Sequence, residues 1–309
     1  MKIAIIGGSG MEERLEASGL LRDRQLREIG TPFGGPSAPI AVGTLAGSDV
    51  PLALLRRHGE EHSIPPHQIP ARANIFALKT LGVTHIIATG AVGSLQEHIR
   101  PGELVLCDQF IDRTTGAGVR GRERTFFDHA AVHAEFADPC CPVMRAWLTD
   151  ASSSVGTKTH GAGTYAVIDG PTFSTRAEAA MHRAMGADVV GMTALPEARL
   201  AREAEIAYAL IALPTDDDCW RPAKTDHNSR HEPQSPESLL ETIIGNLKRS
   251  SDAAFKLIEA ALRDPSPLAQ RPSPAHDALR LAIWTPKARI PADELERLRP
   301  IWGDRLDPA

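Results

Sequence analysis

The chain has 309 residues, 42% of them hydrophobic, and 34 Lys and Arg against 39 Asp and Glu leave a net charge of −5. That length suits one large domain or two ordinary ones with a substantial core, and the slight negative balance excludes a global basic field for nucleic acid or an anionic membrane. Four cysteines without a C-x-x-C spacing (Cys107, Cys140, Cys141, Cys219) exclude a disulfide framework and suit a reducing cytoplasm, while the opening MKIAIIGGSG is too short an apolar run for a signal peptide or a membrane span.

Lys2 to Ile6 reads as a buried strand, Gly7, Gly8, Ser9 and Gly10 as a turn, and Glu12 to Ser18 as a helix. Ile40 to Leu45 and Val50 to Leu55 form a hairpin around residues 46–49, and its second strand delivers Arg56, Arg57, His58 and Gly59. Residues 71–82 carry helical apolar spacing with a glycine stop, and THIIATGAVGS after them is a buried strand running into a small-residue turn. Further strands are predicted at Leu104–Cys107, Thr164–Ile168, Asp188–Met192 and Ala207–Leu213, with helices over 175–185, 196–205 and 236–262. This alternation predicts an α/β single domain, a central mixed but mostly parallel twisted sheet flanked by helices. The organisation expected is a main domain over 1–262, a proline-rich linker over 263–275, and a C-terminal extension over 276–309 packed on the same domain or a neighbouring subunit. Two polar stretches, Gly116–Arg124 and Arg221–Ser235, read as lids or as ordinary surface loops.

Chemistry concentrates at strand ends. The segment IALPTDDDCW runs from an apolar strand into Asp216, Asp217 and Asp218, which is either a solvated loop or a site where a proton or a ligand meets the carboxylates. GGSG at the first strand-to-helix turn offers backbone N–H groups to an anion, although Glu13 stands where the dinucleotide fingerprint needs its last glycine. Arg57 and His58 supply a guanidinium fork and an imidazole suited to phosphate oxygens. The turn at 89–94 and Thr193 of GMT add hydroxyls and close-approach backbone, and no metal-ligand spacing or P-loop lysine appears.

The strings IIGGSG, TPFGGPS, RHG, QIPARANIFALKTLGVTHII, GSLQEHIRPGELVLCDQFIDRTT, DGPTFSTRAE, GADVVGMTALPEARLARE and TDDDCW resemble the trimeric purine nucleoside phosphorylase family, specifically its 5'-methylthioadenosine phosphorylase branch, from residue 1 to about 262. The resemblance implies the nucleoside phosphorylase fold, a cytoplasmic homotrimer without cofactor, metal, nucleic acid or membrane partner, and phosphate as co-substrate. It implies cleavage of the nucleoside to adenine and 5-methylthioribose 1-phosphate, with 6-oxopurine nucleosides as the alternative substrates. Carried over by position, phosphate falls to Ser9, Arg57, His58, Thr89, Ala91 and Thr193; the ribose to Met192; the base to Phe173, Ser174, Asp216 and Asp218. His133 from a neighbouring subunit, with Leu239 and Leu240, would close the 5' end. Asp216 as a neutral acid would serve N7, Asp218 would accept from the 6-amino group, and Asp217 would point away. Asp169, Gly191 and Asp217 depart from the residues usual in the family.

Overall fold

A computed structural model describes residues 1–7, 11, 14, 17–114, 124–221 and 236–306, with residues 236–239 described in their backbone alone. Its strands are β1 (Ile3–Gly7), β2 (Leu21–Arg27), β3 (Ile40–Leu45), β4 (Pro51–Arg56), β5 (His85–Ser94), β6 (Leu104–Leu106), β7 (Gln109–Asp112), β8 (Thr159–His160), β9 (Thr164–Val167), β10 (Val189–Gly191) and β11 (Ala207–Asp216). The α-helices are α1 (Ala71–Thr80), α2 (Pro142–Ser152), α3 (Arg176–Ala184), α4 (Ala194–Glu203), α5 (Pro236–Leu262), α6 (Ser266–Gln270), α7 (Ala292–Arg297) and α8 (Arg299–Trp302).

All these strands join one sheet. Its main path runs β2-β3-β4-β1-β5-β10-β9-β7, and β11 branches from β5 to carry β6 and β8. β1 lies parallel to β4 and β5, and β11 parallel to β5, whereas β10 meets the far end of β5 antiparallel. β5 is the hinge of this arrangement: its first half pairs with β1 while Gly93 and Ser94 pair with β10. The sheet is therefore mixed and largely parallel, as the alternation of patterns predicted.

Both faces of the central strands are buried. In β1, Ala4 and Ile6 face one apolar cluster while Ile3 and Ile5 face the other. β11 divides the same way, with Tyr208, Leu210 and Ala212 on the first side and Ala209, Ile211 and Leu213 on the second. Strands buried on two faces read as continuous apolar runs, which is why they were legible in sequence. Each fully buried Ile or Leu contributes about 1.5–3 kcal/mol of transfer free energy, so these strands anchor the fold.

Several segments differ from expectation. β2 has mostly exposed side chains and carries charge at Arg22, Asp23, Arg24 and Arg27, so no apolar alternation announced it. α2 begins at Pro142 and buries Met144, Trp147 and Leu148, a narrow stripe among polar positions. Within the proline-rich stretch, Pro267 sits in the first turn of α6, where a missing N–H costs nothing, and Leu268 is buried. The terminal segment packs into the chain's own main cluster through Leu279, Ile290, Leu298, Ile301 and Trp302. The helix expected over Glu12–Ser18 and the two candidate lids lie largely outside the described residues.

Candidate active site

The carboxyl ends of β4, β5, β10 and β11 open toward one cavity of about 280 Å³, the usual place for a ligand in an open α/β sheet. Its wall includes Arg57 and His58 after β4, Gly90 to Gly93 in β5, Gly191 to Thr193 at the end of β10, and Asp216 and Asp218 at the end of β11. Phe173 and Ser174 join from the segment preceding α3. Residues as far apart in sequence as Arg57 and Asp218 thus meet because these strand ends converge on one place.

Arg57 and His58 form the cationic end. Arg57 is fully buried; its Nε and Nη2 donate to Glu197 at 2.8 and 2.9 Å, and its Nη1 donates to the Thr89 carbonyl at 2.7 Å. Tyr208 donates to the same Glu197 carboxylate at 2.8 Å. Burial opposes the Arg57 charge, but Glu197 outweighs it and holds the guanidinium above its ordinary pKa. Half of the fork expected to face an anion is therefore committed to Glu197, which anchors the group instead of leaving it swinging. Glu197 was not singled out from sequence, because a glutamate within a helical stretch ordinarily reads as a solvated position.

His58 is pushed down to about 4, by burial first and then by Arg57. Its Nδ1 lies 2.9 Å from the Ile64 carbonyl, which can only accept, so Nδ1 carries the proton and Nε2 keeps its lone pair. His62 stacks on His58 with centroids 4.1 Å apart and also lines the cavity, a contribution missed in the sequence.

At the acidic end, both Asp216 oxygens accept hydrogen bonds, from the Thr215 hydroxyl at 2.7 Å and the Asp218 N–H at 2.8 Å. Asp218 is pushed up to about 6, by burial first and by the Asp216 charge second, with the Ser174 hydroxyl opposing. Its Oδ2 and the Ser174 Oγ are buried without a well-formed hydrogen bond inside the chain. Donors surround Asp216, whereas desolvation and the like charge beside it favour the protonated form of Asp218 more than in an ordinary carboxyl. Asp217 lies off the cavity wall and pairs with Arg221 at 3.0 Å, consistent with the expectation that it points away. Close packing beneath the pair needs Gly93, where an added Cβ would stand 3.0 Å from Asp218 Cβ.

Other expected residues sort unevenly. Ala91, Phe173, Ser174, Met192 and Thr193 line the cavity. Thr89 does not: its side chain is fully buried and its carbonyl accepts from Arg57, and the wall begins at Gly90. Leu240 is 57% exposed and off the wall, and Ile243 and Leu247, one turn apart on α5, line it instead. The Leu239 side chain and Ser9 lie outside the described residues. His133 is absent from this chain's cavity and rests on the surface edge-on to Trp284, at 4.6 Å.

Residues 2–263 match the phosphorylase superfamily. The chain is 44% identical to an S-methyl-5'-thioadenosine phosphorylase of Geobacter sulfurreducens over 97% of its own length and 98% of the relative's. It is 42% identical to one of Chloroflexus aurantiacus over 97% of each. Among solved structures it is similar to a methylthioadenosine phosphorylase from an antarctic soil metagenomic library, with TM-score 0.83, 42% identity and coverage of 97% of this chain and 98% of the other. It is also similar to the Schistosoma mansoni methylthioadenosine phosphorylase in complex with adenine, with TM-score 0.74, 34% identity and coverage of 92% and 99%. On a match that spans most of its length, with the cavity formed by the strand ends that carry the shared motifs, the chain belongs to the phosphorylase superfamily.

Proposed function

We propose that the chain cleaves 5'-methylthioadenosine with inorganic phosphate, giving adenine and 5-methylthioribose 1-phosphate. The observation that carries this reading is the polarity of one cavity: a guanidinium and a neutral imidazole at one end, and a pair of crowded carboxyl groups, one of them with a raised pKa, at the other. A phosphate oxygen attacks the anomeric carbon, the bond from that carbon to N9 breaks, and its electron pair passes into the purine, which takes up a proton. Positive charge develops on the sugar between an anion and the departing base, so both poles act most strongly in the transition state.

Arg57, Ala91 and Thr193 hold the phosphate, and Ser9 adds a hydroxyl. His58 Nε2 accepts from the protonated oxygen of hydrogen phosphate, because the ring's one proton is already given to Ile64. Met192 lies against the ribose and Phe173 against the base. Asp216 and Asp218 act as a coupled pair toward N7 and the 6-amino group, with Asp218 Oδ2 and Ser174 Oγ gaining the partners they lack. The reaction draws on no cofactor.

The same reading includes a homotrimer working in the cytoplasm. Phe173 at the cavity mouth is 75% exposed, and His133 with Trp284, the latter 71% exposed, forms a surface pair suited to cover it from a neighbouring protomer. Among the described residues no helix is long and apolar enough to cross a membrane. Incubating the protein with 5'-methylthioadenosine, with and without phosphate, tests the reading. Adenine released only with phosphate supports it; equal release without phosphate makes the chain a hydrolase and overturns it.

A further inference from the structure

Gly191 and Tyr165 fit together as one unit. β9 and β10 run in parallel register, and a Cβ added at Gly191 would stand 2.1 Å from Tyr165 Oη and 2.7 Å from its Cζ. Only glycine at 191 leaves the phenol its place. The ring is fully buried and packs edge-on to Phe110 at 6.1 Å, yet its hydroxyl has no well-formed hydrogen bond within the chain. A buried hydroxyl left in that condition calls for an explanation.

The polar group facing it is Thr193, through backbone and hydroxyl; burial nonetheless pushes the phenol up to about 12, so it stays a neutral donor. Thr193 stands at the start of α4 but its side chain makes no capping bond. On its other flank lies Gly90, where an added Cβ would stand 3.2 Å from Thr193 Oγ1. The Thr193 hydroxyl therefore sits on the cavity wall between a glycine and the phenol, with no bond to its own helix to orient it.

We propose that Tyr165 is a positioning residue for the phosphate end of the cavity: its hydroxyl donates to Thr193 Oγ1 and turns the Thr193 proton toward a phosphate oxygen, an arrangement that glycine at 191 makes sterically possible. The inference rests on the phosphate assignment made above. It concerns phosphate binding alone and does not depend on which nucleoside is cleaved.

Tyr165→Phe removes only the hydroxyl. Titration calorimetry with inorganic phosphate should show affinity weakened about three- to tenfold, the loss of one hydrogen bond's net worth. The KM for the nucleoside should stay within about twofold. Unchanged phosphate affinity in Tyr165→Phe overturns the inference. Gly191→Ala should lower both melting temperature and phosphate affinity, and adding Tyr165→Leu should restore the first but not the second; recovery of both would show that the phenol only fills space, and would also overturn it. If the wild-type protein binds phosphate but releases no adenine, the nucleoside reading fails while the calorimetry still decides the role of Tyr165.

Discussion

Arg57 and Glu197 are joined by two hydrogen bonds of 2.8 and 2.9 Å, both side chains being almost wholly out of water and 140 positions apart in sequence. The pair bridges β4's end to α4 and carries the only guanidinium on the cavity wall among the described residues. Glu197→Gln leaves Arg57 buried without its counter-charge, which should cost about 3–5 kcal/mol of stability. Denaturant unfolding measures that loss, and phosphate KM should rise in the variant because the fork is no longer held. A fully stable variant with unchanged phosphate KM would show that the pair neither supports the fold nor orients Arg57.

Asp218→Asn keeps the shape of the acidic end but removes the transferable proton. Turnover of 5'-methylthioadenosine should drop about 100-fold or more, the ordinary worth of a positioned acid. Asp216→Asn should lose activity on 6-aminopurine nucleosides while relatively retaining or gaining it on 6-oxopurine ones, since an amide can donate where a carboxylate only accepts. A substrate panel varying the 6-position reads both effects, and unchanged relative rates in both variants would remove the carboxyl pair from base recognition.

The contributions of Asp218 and Glu203 to stability should fall as pH rises from about 5 to 8, while His58 and His85, both pushed down to about 4, contribute in the opposite sense up to the ordinary histidine range. Asp218 is pushed up to about 6, and Glu203, which accepts from the Phe126 N–H, is pushed up by burial to about 7. With folded values above the unfolded ones, the folded chain keeps protons that the unfolded chain has released. Their stabilisation is complete below the ordinary carboxylate range and is lost as pH climbs through about 6 and about 7. Measured against the wild type, the melting temperatures of Asp218→Asn and Glu203→Gln should rise across that range, because each variant has lost a contribution that the wild type gives up as pH climbs. Parallel curves for all three would count against these shifts.

The proposed homotrimer, in which His133 of a neighbouring protomer completes the site, would make assembly and activity inseparable. Light scattering at assay concentration should find a trimer, and His133→Ala should weaken activity on 5'-methylthio substrates without lowering the melting temperature. Mixed with an Asp218→Asn chain, the His133→Ala chain should regain activity, because a mixed trimer contains sites with an intact wall and an intact neighbour. A fully active monomer would refute the assembly.

The central strands of the sheet were legible because they are buried on both faces and read as largely apolar runs, as in β1, β5 and β11. β2 and α2 were not, because an exposed edge strand and a helix with a narrow apolar stripe lack that signal. Arg57, His58, Asp216 and Asp218 were recognised as chemistry at strand ends, and a parallel arrangement then carried them to one edge. Which face a side chain takes was a finer matter. Thr89 and Gly90 are neighbours in β5, and packing leaves the first fully buried and the second on the cavity wall.

Local sequence determined the strand and helix periods and the residue types able to bind an anion or hold a proton, since both depend on neighbours within a few positions. Only the tertiary structure decided that Glu197 and Tyr208 clamp Arg57, that His62 stacks on His58, and that burial and the Asp216 charge raise the pKa of Asp218. Those outcomes depend on desolvation and on charges brought together across the sheet, and neither quantity exists until the strands have packed.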